Sequence, residues 1–145
     1  RVLWDHALDP NEKGFLELKK SNEIKKVILC SGKVYFDLLE SREKLKRDDV
    51  VMLRIEQLYP FPLKSLVKEI KKYAKKAKFY WCQEEPKNMG AWFAVRDYIQ
   101  WTLDYIGAKN KEIMYIGRKP AASPATGYAM RHIAQQKEII NKVFS

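Results

Sequence analysis

Four short runs of consecutive apolar residues punctuate the chain: Val27-Ile28-Leu29-Cys30, Val50-Val51-Met52-Leu53, Phe79-Tyr80-Trp81-Cys82 and Ile113-Met114-Tyr115-Ile116. Runs without polar alternation are what a strand buried on both faces presents. Between them the apolar positions change to helical spacing. Tyr35, Leu38, Leu39 and Leu45 predict a helix over about Val34 to Lys46. Leu66, Ile70, Tyr73, Ala74 and Ala77 fall at i, i+4, i+7, i+8 and i+11, one stripe of a helix over about Leu63 to Lys76, with lysines on its outer face. A third helix is expected from about Gly90 to Ile106. Ser123-Pro124 offers an N-cap serine followed by proline at the first helical position, so a last helix is expected from there to about Phe144.

Strand and helix alternating four times predict an α/β fold: a three-layer α/β/α sandwich on a mostly parallel sheet of four or five strands, with right-handed connections. Residues 1–25 carry turn chemistry, including Asp9-Pro10-Asn11, and little periodicity, so they read as a linker or extended arm. Residues 26–145 form the α/β domain proper. At 145 residues the chain is one domain with a core that needs no disulfide or metal staple. Its apolar runs are far shorter than the roughly 20 residues that span a bilayer, so no membrane partner is expected.

Charge changes the picture only slightly. The net charge of +10 invites a nucleic-acid reading, but the 28 basic residues are 21 Lys and 7 Arg. Arginine forks onto guanine and phosphate, and most of these lysines fall on outer helix faces, so no nucleic-acid partner is expected. Cys30 and Cys82 sit in apolar runs without C-x-x-C spacing and read as buried thiols. His6 and His132 are too few and too far apart to nucleate a Cys/His metal site. Phosphate-cradling glycine motifs and a nucleophile elbow are missing from the sequence.

Candidate sites therefore lie in the turns after the strands. Ser31-Gly32-Lys33 opens the first helix, where Ser31 either caps the helix or helps seat an anion on free backbone N–H groups. Arg54 leaves the second strand at what should be a neighbouring position. Ser31, Lys33 and Arg54 are thus expected as an anion or effector seat. Glu84 and Glu85 point to opposite sides of a strand and are read as ion-pair partners of Arg54 and Arg118, which leave neighbouring segments at the same edge, rather than as an acid/base pair. The third helix is apolar on two sides: Trp92, Val95, Ile99, Leu103 and Ile106 form one stripe, and Ala94, Tyr98, Trp101 and Tyr105 a second. Such a helix is buried twice or meets another chain, and Trp92, Tyr98, Trp101 and Tyr105 are expected at a subunit interface. The alternative is that the N-terminal arm folds back over the second stripe.

The turns also carry strings that resemble a known family. The segments Cys30-Ser31-Gly32-Lys33-Val34-Tyr35-Phe36-Asp37-Leu38-Leu39, Arg54-Ile55-Glu56-Gln57-Leu58-Tyr59-Pro60-Phe61-Pro62, Trp81-Cys82-Gln83-Glu84-Glu85-Pro86-Lys87-Asn88-Met89-Gly90-Ala91-Trp92 and Tyr115-Ile116-Gly117-Arg118-Lys119-Pro120-Ala121-Ala122-Ser123-Pro124-Ala125-Thr126-Gly127-Tyr128 are similar to 2-oxoglutarate dehydrogenase E1 components. The departures are Lys119 and Ala122. The resemblance implies the C-terminal, transketolase-like third domain of a longer enzyme that uses thiamine diphosphate and Mg. It implies a parent that decarboxylates 2-oxoglutarate oxidatively in the tricarboxylic acid cycle and passes succinyl to the lipoyl group of an E2 succinyltransferase. The cofactor and catalytic motifs belong to upstream domains, so the fragment itself is expected to hold no catalytic residue, cofactor or metal, and to be inactive alone. It is expected to support a homodimer and to take an acetyl-CoA or AMP effector. A basic docking face for an acidic or E2 partner is the alternative. The setting would be cytoplasmic in a bacterium and the mitochondrial matrix in a eukaryote.

Overall fold

The computed structural model describes residues 3–123 and 127–145. All four apolar runs are strands. With a short N-terminal strand, β1 (Leu3–Trp4), they are β2 (Lys26–Cys30), β3 (Val50–Ile55), β4 (Lys78–Pro86) and β5 (Ile113–Arg118). The sheet order is β1-β3-β2-β4-β5, with β1 antiparallel and the other pairings parallel. Helices α1 (Val34–Leu45), α2 (Leu63–Ile70), α3 (Trp92–Tyr105) and α4 (Ala129–Phe144) cover the two faces. Side chains of α2 and α3 pack with Leu29, Val51 and Trp81 on one face, while α1 and α4 pack with Ile28, Met52 and Cys82 on the other. Both faces are dry, which is why the central strands read as unbroken apolar runs.

Two boundaries differ from expectation. The second helix stops at Ile70 and tightens into a 3-10 turn over Lys71–Tyr73, because Ala74 must present its carbonyl to the amide of Lys109 at 2.9 Å. The last helix begins at Ala129, not at Ser123, which lies in a bend; the expected first-turn proline, Pro124, falls outside the described residues. A Ser-Pro pair expresses only local propensity. The helix starts later, where Gln135 meets Arg118 of β5, Gln136 reaches Asp37 of α1 and Glu84 of β4, and Ile139 packs on the sheet. Its far end is tied by cations: Lys26 Nζ donates to the carbonyls of Val143 (3.1 Å) and Ser145 (2.8 Å), and Arg47 donates to that of Phe144. The last carbonyls of a helix lack intrahelical donors, so these contacts fix α4 in place.

Residues 3–25, expected as an extended arm, run along α1 and the β3 edge. Asp5 is the anchor. Its carboxylate accepts two 2.7 Å bonds from the Arg42 guanidinium, one from the Met52 amide (2.9 Å) and one from the Ala7 amide (3.0 Å). Further along, His6 Nδ1 meets the Tyr35 hydroxyl at 2.7 Å, and Glu43 accepts from the Leu16 amide at 2.9 Å.

Candidate functional site: the carboxyl edge of the sheet and the outer face of α3

Parallel α/β sheets present ligands at the carboxyl ends of their strands, where the connections diverge. In this sheet β2 continues to β3 and β4 to β5, so the divergence falls between the ends of β2 and β4. That edge is already occupied by side chains. Lys33 Nζ sits 2.7 Å from Glu84 Oε1, and the same oxygen accepts from Gln136 Nε2 at 2.9 Å, which also reaches Asp37 at 3.0 Å. Glu84 is thus an ion-pair partner, but of Lys33 at the start of α1 rather than of an arginine: Arg54 pairs with Glu56, and Arg118 donates to the Glu84 main-chain carbonyl. Bonding to Glu84 raises the Lys33 pKa.

Cys30 and Arg54 are register partners, so the structure does bring Ser31 and Arg54 to adjacent strand ends. Ser31 does not cap α1: the N-cap position is Lys33 and it is made without a side-chain bond. Gly32 turns the chain with φ +77°, a left-handed conformation that suits glycine. Arg54 pairs with Glu56, and its guanidinium lies 4.9 Å, 5.1 Å and 4.9 Å from the ring centres of Trp4, Tyr35 and Phe36. Both cations of the expected seat are therefore matched by carboxylates.

The turn after β4 is organised by Gln83, which sequence reading passed over. Its side chain is buried and fully used. Nε2 donates to the carbonyls of Glu85 (3.2 Å), Pro86 (3.0 Å) and Met89 (2.8 Å), while Oε1 accepts from Trp81 Nε1 (2.9 Å) and the Trp92 amide (3.1 Å). One glutamine thereby folds the loop that launches α3. The only sequence signal was an amide residue at the end of an apolar run, where a carboxylate would have lacked donors for three carbonyls.

The outer face of α3 divides the four expected interface residues. Trp92 does not belong there: it is 7% exposed and packs inward against Tyr115, on the same stripe as Val95, Ile99 and Leu103. Tyr98, Trp101 and Tyr105 remain 45%, 50% and 67% exposed. Trp101 stacks on Tyr105 with ring centres 5.0 Å apart, and Tyr98 stacks on Phe61, also at 5.0 Å. The arm does not cover this stripe, since its hydrogen bonds run to α1, the α1–β3 turn and β3.

Other groups with chemical potential are committed elsewhere. Burial raises the Cys30 thiol well above its ordinary range and pushes Cys82 up to about 12, so neither is a nucleophile in the folded chain. Among the described residues no three His, Cys, Asp or Glu side chains converge to hold a metal ion. No helix among them is long and apolar enough to cross a membrane.

Comparison with known proteins agrees with this architecture. The chain is 53% identical over 135 residues to the 2-oxoglutarate dehydrogenase E1 component of Brucella abortus (strain S19), a match covering 93% of this chain and 13% of that protein. The E1 component of Brucella melitensis biotype 2 is 52% identical over the same length and shares. This chain thus spans about one eighth of the length of these relatives. Among solved structures, a split-gene transketolase, an inactive β4 tetramer, superposes with a TM-score of 0.56 over 91% of this chain and 41% of its own, at 13% identity, a likeness of fold. Residues 1–144 match the family described as 2-oxoglutarate dehydrogenase C-terminal. A mostly parallel five-stranded sheet of transketolase-like form, together with that match, places this chain in the 2-oxoglutarate dehydrogenase C-terminal family.

Proposed function

We propose that this chain serves as the C-terminal assembly domain of a thiamine-diphosphate-dependent 2-oxoglutarate dehydrogenase E1. The parent would decarboxylate 2-oxoglutarate oxidatively and hand succinyl to a lipoyl-bearing E2 succinyltransferase. The domain's part is to join two subunits rather than to perform chemistry. The observation that carries the reading is the outer face of α3. Trp101 and Tyr105 form a stacked, half-exposed aromatic patch on a helix whose other side is already in the core. Aromatic area of this kind is typical of interface centres. A two-fold axis would set the patch against its own copy.

Ser31, Lys33 and Arg54 are the effector seat in this reading, suited to the phosphate of acetyl-CoA or AMP. What supports it is the adjacency of the β2 and β3 ends and the start of α1 beside them. An anion arriving there would exchange with Glu56 on Arg54 and with Glu84 on Lys33. Effector binding would thus release Glu84 from its bonds to Lys33 and Gln136, loosening α4.

The catalytic part of the reading is tested by assay. The purified chain, supplied with 2-oxoglutarate, thiamine diphosphate, Mg and ferricyanide, is expected to give no turnover above the protein-free blank. Turnover that copurifies with the chain would overturn the assignment of the chemistry to the rest of the parent.

A further inference from the structure

We propose that the concavity at the carboxyl end of β5 binds a polyphosphate chain, a di- or triphosphate that is either free or the tail of a nucleotide. This place is separate from the Ser31, Lys33 and Arg54 seat. The concavity has a volume of about 700 Å³ and is lined by Arg118, Lys119, Arg131 and Lys142, with Glu138 as its carboxylate. A hollow of about 290 Å³ shares Arg118, Lys119 and Lys142 with it and adds Lys87. Five cations against one carboxylate leave a local charge of five minus one, or +4. A cleft lined by one sign of charge concentrates ions of the other. A single phosphate would neutralise at most about half of that charge, whereas a di- or triphosphate approaches it.

The carboxylates nearby do little to fill the need. Glu138 pairs with Lys142 at 2.9 Å, but both side chains are more than half exposed, and such pairs are weak and open readily. Glu84 is engaged by Lys33 and Gln136 on the α1 side. Arg118 is held in a fixed orientation, donating to the Glu84 carbonyl and to Gln135 Oε1 at 3.5 Å. An oriented guanidinium suits phosphate better than a mobile one. Gly117 holds the floor, since a Cβ there would strike the Tyr115 hydroxyl at 2.3 Å, and that hydroxyl braces the Arg118 carbonyl at 2.9 Å. The start of α4 adds to the same side: Gly127 lines the concavity, and the first turn of α4 has no acidic residue and no side-chain cap. Its unbonded N–H groups carry partial positive charge. The apolar wall of Pro120, Ala121, Ala122 and Ile139 leaves room for a flat base beside the phosphates, within the size range of small-ligand sites.

The test is calorimetric titration of the chain with pyrophosphate, tripolyphosphate, ATP, AMP and an oligoglutamate peptide, at low and at high salt. Tripolyphosphate and ATP are expected to bind, with affinity that falls steeply as salt rises. The double substitution Lys119→Glu and Arg131→Glu is expected to weaken both by tenfold or more, and Lys64→Glu, a charge reversal on the exposed side of α2, to leave both unchanged. Both reversed residues are exposed, and Lys119→Gln with Arg131→Gln is the milder second variant should the reversal disturb folding. ATP binding more tightly than tripolyphosphate would identify a nucleotide, and equal affinity a chain read without its base; either supports the site. It is overturned if no polyphosphate binds, if binding survives both double variants, or if the oligoglutamate peptide binds more tightly than tripolyphosphate. Equal loss of binding on Lys64→Glu would also overturn it, since the ligand would then follow net charge rather than this concavity.

Discussion

Asp5→Ala is expected to destabilise the fold by about 3–5 kcal/mol, the cost of stranding a buried charge. The Arg42 side chain is completely shielded from solvent, and so is that of Asp5. Removing the carboxylate leaves the guanidinium with one weaker acceptor, the Val50 carbonyl at 3.2 Å, and orphans the amide of Met52 in the sheet. Arg42→Met alone should be as damaging for the mirrored reason. The pair Asp5→Leu with Arg42→Met should recover much of the loss, because exchanging a buried ion pair for apolar groups is often neutral. Urea unfolding followed by tryptophan fluorescence measures all four proteins. Equal stability of Asp5→Ala and the unaltered chain would show that the arm is not anchored this way.

Gln83→Leu is expected to be nearly as severe, about 2–4 kcal/mol, and to act locally. Five polar contacts converge on that one amide, three carbonyls sharing its two Nε2 hydrogens. Each buried donor or acceptor left without a partner costs on the order of 1–3 kcal/mol, and loop relaxation toward water recovers part of the total. Gln83→Glu should also destabilise, since a carboxylate meets the Glu85, Pro86 and Met89 carbonyls with no hydrogen to offer. Hydrogen exchange locates the damage: amides from Glu85 to Val95 should lose protection while those of β2 and β3 keep theirs. Uniform loss would contradict a local role.

These two residues mark where sequence reading stops short. The strands were legible because a sheet covered on both faces demands continuous apolar runs, and Val27–Cys30 and Val50–Leu53 have no other reading in a chain with so much charge elsewhere. The inner stripe of α3 was legible for the same reason. Asp5 was not, because a two-residue antiparallel strand has no periodicity to detect, and a lone aspartate in a turn-rich arm looks like any solvated turn residue. Its partner, Arg42, falls within a helix whose other basic residue, Lys44, is solvated. Gln83 was hidden because its role depends on three carbonyls that converge only after the chain has turned. Trp92 shows the opposite error. Aromatic content suggested an interface, but helical phase puts it with Val95 and Ile99 toward the sheet, one step away from Tyr98 and Trp101. In the same way, Ser31 and Arg54 lie at adjacent strand ends, but that Lys33 turns to Glu84 and Arg54 to Glu56 follows from side-chain placement alone.

The assembly role rests on α3, and sedimentation equilibrium of the chain beside its Trp101→Glu variant tests it most directly. Burying one large aromatic contributes roughly 1.5–3 kcal/mol, and the substitution also sets a charge against its own copy across the two-fold axis. Trp101 is half-exposed and makes its ring contact with Tyr105 on the surface, so the variant should keep the far-ultraviolet spectrum of the unaltered chain. The unaltered chain is predicted to associate to a dimer, with the variant's dissociation constant raised tenfold or more. A chain that stays monomeric at high concentration, or a folded variant that dimerises as tightly as the original, would contradict the account.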